Sequence, residues 1–134
     1  MTITELYDIA EQDGIDVYSF QMNECESMSL LQNGDCYIAI DPFKLHSDTD
    51  EKEKLAHELG HCETGAFYNE YAKCDIREKH ERRANIWAIK KLVPKDKLIK
   101  AIQSGFGENR FELAEHFDVT EDTMQFALDY YFVH

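Results

Sequence analysis

Basic residues are scarce in this chain: 14 lysines and arginines stand against 27 aspartates and glutamates, a formal net charge of −13. That balance excludes a chain that coats nucleic acid by itself. Absent too is any stretch approaching the roughly 18 apolar residues of a membrane span. The opening residues, MTITELYDIAEQDG, do not form a signal peptide. The four cysteines, Cys25, Cys36, Cys62 and Cys74, include no C-x-x-C pair, so free thiols in the cytoplasm are expected in place of a disulfide framework. No internal repeat, low-complexity segment or flexible linker interrupts the chain. With 134 residues and 43% hydrophobic content, it is long enough and apolar enough for one domain with one core.

The charge is unevenly spread. Residues 1–50 carry eleven acids and one base, Lys44, whereas residues 75–100 carry nine bases and four acids. Residues 101–134 return to seven acids and one base. A basic run of this kind is more often a solvated helix face than a nucleic-acid patch.

The stretch with most chemical content is Lys52–Gly65, KEKLAHELGHCETG. In a helix, residues four apart lie about 40° apart round the axis and one turn apart along it. His57 and His61 therefore offer two imidazoles to one metal ion. Glu58 stands one residue on from His57, where a carboxylate reaches water at the metal instead of the metal itself. This is the metalloprotease pattern of two ligands and a general base. Asp48 and Glu51 read as a capping box, Leu55, Leu59 and Cys62 as an apolar stripe, and Gly65 as a left-handed C-terminal residue, so a helix over about Thr49–Thr64 is expected. Cys62 is read as core, since a fourth protein ligand would close the site.

Taken in order, Thr2 and Glu5 box a first helix that ends at Gly14. Ile15–Phe20, Ser27–Leu31 and Cys36–Ile40 read as short strands. The last two flank Asn33-Gly34, the strongest short hairpin signal, and Pro42 ends the third. A second long helix, about Ile76–Val93, is expected from Asp75 with Glu78 to Pro94. A short helix at Lys95–Ser104 follows, then two more at about Glu108–Phe117 and Thr120–Phe132. The fold class is thus α+β: a small, mostly antiparallel sheet, the His-bearing helix, a second helix and a C-terminal helical tail.

A catalytic zinc keeps three protein ligands and one open position. An extended histidine motif would need Gly at 64 and His at 67, but Thr64 and Phe67 stand there. On the second helix Glu81, Ala84, Asn85 and Ala88 share a face. The small Ala84 lets two helices approach, which ranks Glu81 first as third ligand, and the amide of Asn85 can orient a neighbour; a pairing of Glu81 with Arg77 stays open. Glu78 and His80 are rivals ranked below Glu81.

HELGH, with Glu81-Arg82-Arg83-Ala84-Asn85 and Trp87–Pro94 after it and Tyr37-Ile38-Ala39-Ile40-Asp41 before it, resembles the ImmA/IrrE family of bacterial and phage metallopeptidases. The resemblance covers about residues 1–100, leaving 101–134 as a helical extension of a single 1–134 domain. It implies a compact zincin-like domain, one zinc held by His57, His61 and Glu81, and Glu58 as catalytic acid/base. It further implies a prophage or mobile-element protein that cleaves, or otherwise inactivates, a partner repressor of the helix-turn-helix type and so derepresses the element. Some members of that family act as stress regulators.

Several points stay open in the sequence. Tyr68, Tyr71, His80 and His46 are all available to stabilise an oxyanion, and the edge strand a substrate would join is not identified. A zinc-binding regulator that inactivates a repressor by docking, without proteolysis, is the alternative to an enzyme. Leu113–Thr120 resembles a helix-turn-helix core, but Glu121, Asp122 and Asp129 would face the phosphates, which argues against direct nucleic-acid binding.

Overall fold

The computed structural model describes residues 1–68, 72–105 and 109–132. Thr2 caps helix α1 (Ile3–Gln12) by accepting the Glu5 N–H at 3.1 Å. Three strands follow: β1 (Asp16–Ser19), β2 (Ser27–Gln32) and β3 (Asp35–Ile40). Asn33 and Gly34 both take positive φ, 54° and 84°, as the tight turn between β2 and β3 requires. The hairpin is antiparallel as expected, but the sheet is mixed. Its order is β1-β3-β2, and β1 runs parallel to β3 with Val17 opposite Ile38. Placing β3 in the middle buries Ile38 and Ile40, which are 1% and 2% exposed. Alternation cannot report this pairing, because both neighbours of a central strand satisfy the same pattern.

Pro42 opens a single 3-10 turn, Pro42–Lys44. Beside it the fully buried Asp41 accepts the N–H of Met22 and that of Phe43, both at 2.9 Å, and pairs with Lys44 at 3.7 Å. The Met22 N–H is the chief reason its carboxyl sits below the usual range, with Phe43 and Lys44 adding to it and together outweighing burial. Asp41 thus anchors the loop that leads into β2.

Helix α2 (Asp48–Thr64) is capped by Ser47, whose Oγ accepts the Asp50 N–H at 3.1 Å. Asp48 is therefore a first-turn acid and not the cap. Gly65 ends the helix in the left-handed region at φ 66°. Helix α3 (Cys74–Leu92) starts after Lys73, with no side-chain cap, so Asp75 lies inside the helix. Helices α4 (Lys95–Gln103), α5 (Arg110–Phe117) and α6 (Glu121–Phe132) complete the chain. Part of the expected break at 105–107 and the start at Glu108 lie outside the described residues.

One core runs through all these layers, from Leu6 through Leu55, Leu59, Ile89 and Leu92 to Met124 and Tyr131. Polar hooks from α2 hold the tail against it. The buried Lys52 pairs with Asp118 at 3.2 Å, and Glu53 accepts the N–H and hydroxyl of Thr120 at 2.6 and 3.0 Å. The sheet's core face also carries a covalent tie. Cys36 of β3 and Cys62 of α2 form a disulfide, with Cα atoms 5.8 Å apart. The expectation of free thiols fails for this pair, because packing α2 on the sheet brings together residues 26 apart in sequence; Cys25 and Cys74 are free.

Helices α2 and α3 meet backbone to backbone at Gly60. A Cβ added at Gly60 would lie 2.4 Å from the carbonyl oxygen of Ala84, far inside van der Waals contact. A glycine within a helix costs about 1 kcal/mol relative to alanine, and here it allows backbone to meet backbone. Gly60→Ala should accordingly destabilise the fold by about 1–3 kcal/mol, read as a lower midpoint in urea unfolding. A second expectation concerns Asp41. A carboxylate whose pKa is depressed on folding adds stability above its unfolded pKa, and that stability is lost as pH falls through the folded value. Asp41→Asn should therefore be clearly less stable than the unsubstituted protein at pH 7, and the gap should narrow below about pH 4. Equal stability at pH 7 would show that Asp41 anchors nothing.

Candidate metal centre

The approach at Gly60 sets the geometry of the site. His57 and His61 come from one face of α2, and Glu81 lies one turn before Ala84 on α3. His57 Nε2 is 2.8 Å from Glu81 Oε2, His61 Nε2 is 3.1 Å from Glu81 Oε1, and the two Nε2 atoms are 3.2 Å apart. The three groups offer donor atoms within 4.8 Å of one another and could hold a metal ion.

The hydrogen bonds on the far side of each ring decide what those atoms carry. His61 Nδ1 lies 2.6 Å from the carbonyl oxygen of Ala66, which only accepts, so Nδ1 must hold the ring proton. His57 Nδ1 lies 2.7 Å from Asn85 Oδ1 in the same way. In the neutral rings both Nε2 atoms then present lone pairs, and they face each other and a carboxylate. Three electron-rich atoms then converge, which is the environment of a bound cation. Protons feel the same field. Burial opposes charge on His57 and His61, but hydrogen bonding to Glu81 and the surrounding interactions outweigh it and raise both pKa values. Where the rings are protonated at Nε2 as well, hydrogen bonds from His57 and then His61 hold the Glu81 carboxyl far below its ordinary range.

Glu58 is 6% exposed and contributes no ligand atom to this cluster. Its Oε2 accepts the hydroxyl of Ser27 at 2.7 Å. Ser27 is the first residue of β2, the strand whose outer edge borders the site. Both belong to the wall of a cleft of about 400 Å³, with His57, His61, Tyr68 and Glu81. Tyr68 donates to Glu81 Oε1 at 2.8 Å. Burial, and then Glu81, push its pKa up to about 12, so the phenol stays protonated.

Among the other candidates, Asn85 reaches His57 as described, and Tyr71 lies outside the described residues. His80 stacks on the Tyr68 ring at 6.2 Å, and its Nδ1 has no hydrogen-bond partner among the described residues. Glu78 accepts a bond from Cys74, away from the cluster. His46 donates its backbone N–H to Asp50 and does not line the cleft. Three participants were not singled out in the sequence: Ser27, the Ala66 carbonyl and Gly60. Only Gly60 left a signal, as a glycine inside a helical pattern that needed a reason.

Two imidazoles and a carboxylate on paired helices, with a second glutamate beside them in an open cleft, define a peptidase-type metal site. The chain belongs to the peptidase family described as the IrrE N-terminal-like domain, whose profile matches residues 10–129. A comparison with curated proteins gave no match. Among the described residues no helix is long and apolar enough to cross a membrane.

The geometry predicts how metal should respond to substitution. The protein should take up about one divalent ion per chain by elemental analysis. His57→Ala, His61→Ala and Glu81→Ala should each lower that affinity severely, and Asn85→Ala by about 10–100-fold. Glu78→Ala should leave it unchanged.

Proposed function

We propose that this protein is a zinc-dependent endopeptidase that cuts one partner protein at a defined site. The partner is a basic helix-turn-helix repressor of a prophage or mobile element, and its loss derepresses that element. The observation that carries the reading is Glu58 buried in the cleft beside the His57, His61 and Glu81 donors without joining them, held by the Ser27 hydroxyl.

Zinc in the donor set of His57, His61 and Glu81 would supply Lewis acidity, polarising a peptide carbonyl and bringing the pKa of a water toward about 7. Glu58 takes a proton from the attacking water as its oxygen bonds to the carbonyl carbon. As the C–N bond breaks, Glu58 returns that proton to the departing amine. Ser27 fixes one carboxylate oxygen, while Oε1 has no hydrogen bond among the described residues and serves the proton transfers. Tyr68, a phenol at the edge of the cleft that keeps its proton, is placed to donate to the carbonyl oxygen as charge develops there. The peptide lies along β2, whose far edge has no strand partner among the described residues, and main-chain hydrogen bonds hold it extended.

Selectivity comes from outside the cleft. The acids of residues 1–50 and 101–134 attract a basic surface such as a DNA-binding repressor carries. The competing reading, a metal-binding regulator that inactivates by docking alone, is separated from this one by a single variant.

Glu58→Gln preserves shape and metal but removes the base. Cleavage of the partner should fall by about 10²–10⁴-fold while partner binding persists. Equal derepression by the variant and the unsubstituted protein would favour docking. Cleavage of the repressor should weaken as salt rises, and casein should be a poor substrate; brisk digestion of casein would place selectivity in the cleft itself.

A further inference from the structure

The nine bases of residues 75–100 sit in a chain with 27 acids, yet among the described residues none of them lies within ion-pair distance of a carboxylate. Of the five bases elsewhere, four, Lys44, Lys52, Lys54 and Arg110, each pair with an acid. Chance pairing in so acidic a protein would have neutralised some of the nine. Their positions on α3 explain part of this. Arg82 and Lys90 lie about 120–160° round the axis from Ala84 and Ala88, so they face away from α2 and the metal centre, and both are exposed.

Two of these cations are laid against aromatic rings of α6 in place of carboxylates. The Arg82 guanidinium lies 5.7 Å from the centre of the Phe126 ring, and the Lys90 ammonium 5.9 Å from that of Tyr130. A ring steadies a cation without cancelling its charge. Between α3 and α6 lies a groove of about 720 Å³, with Arg82, Lys90 and Lys95 on one side and Tyr130 and Tyr131 on the other. Here cations steadied by rings meet apolar surface in a recess of ligand size.

We propose that this groove docks an acidic segment of a partner protein, a short stretch with two or three carboxylates and an apolar or aromatic side chain between them. The carboxylates seat on Arg82, Lys90 and Lys95, with the planar Arg82 head able to take one in bidentate fashion. The intervening side chain packs on the two tyrosines. A nucleic-acid backbone suits the site less well. Asp129 lines the same groove, and Glu121 and Asp122 stand further along α6, so evenly spaced phosphates would meet acids that spaced carboxylates avoid. The site lies on the opposite face of α3 from the cleft and does not depend on the reaction carried out there.

The test uses the full, zinc-loaded chain and a fluorescein-labelled peptide of about twelve residues. The peptide carries glutamate at alternate positions, with leucine, serine and tyrosine between. Fluorescence anisotropy should show saturable binding that weakens several-fold from about 50 to 200 mM salt. The combined variant Arg82→Glu, Lys90→Glu, Lys95→Glu should lose that binding at least tenfold, with zinc content and circular dichroism unchanged. Lys97→Glu, an exposed base that does not line the groove, should bind within about twofold of the unsubstituted chain. Should the triple variant fail to fold, Lys90→Gln and Lys95→Gln singly should each weaken binding at least twofold. Unaltered affinity in both would overturn the proposal. So would a DNA duplex of about 20 base pairs binding more tightly than the peptide, or self-association on sedimentation that charge reversal abolishes, which would make the occupant a second copy of this chain.

Discussion

The contact of backbone with backbone at Gly60 and Ala84 is the constraint on which the rest of the structure depends. It fixes how far α3 stands from α2, and so whether the Glu81 carboxylate reaches both imidazoles of a helix it does not belong to. Next to that contact point Asn85 holds the His57 ring, and just beyond the end of α2 the Ala66 carbonyl holds the His61 ring. Each histidine is thus fixed at the nitrogen that does not face the centre. The arrangement leaves both metal-facing nitrogens with lone pairs, and the electrostatic discomfort of three such donors in one place is a structural property of the helix pair. Proton and metal ion compete for the same relief.

Most of the helical framework was legible in the sequence because its signals are local. The capping residue Thr2, the left-handed Gly65, the Asn33-Gly34 turn and the four-residue spacing of His57 and His61 each act within one or two turns of chain. Glu81 was legible too, since a small residue one turn away marks where helices touch. The identity of the caps at Ser47 and Lys73 was harder to read, because several neighbouring residues could accept the same N–H groups. Nothing local announced the parallel pairing of β1 with β3, the meeting of Cys36 with Cys62, or the bond from Ser27 to Glu58. Each of these depends on where the packed helix and sheet bring distant residues, and a serine on a strand looks the same whether or not a glutamate waits opposite it.

The charge map gains meaning from the fold in a similar way. As a string, residues 75–100 are a basic run within an acidic chain, and a solvated helix face accounts for them. In three dimensions α3 separates two electrostatic tasks. One side of the helix gives a carboxylate to a site that attracts cations, and the other presents cations held over aromatic rings. Acids elsewhere are engaged in building the fold: Asp41 gathers the loop before β2, and Glu53 and Asp118 fasten the tail to α2.

The three donor residues and the groups that orient their rings, Asn85 and the Ala66 carbonyl, all fall between His57 and Asn85. The sheet contributes Ser27 to Glu58 but nothing to the donor set. Assembly of the metal cradle therefore requires only the pairing of two successive helices, whereas the cleft wall needs the docking of β2 as well. A chain whose β2 had come away would keep its whole donor set and lose one wall of the cleft, so that gathering the three donors and shaping the cleft are separable properties of this fold.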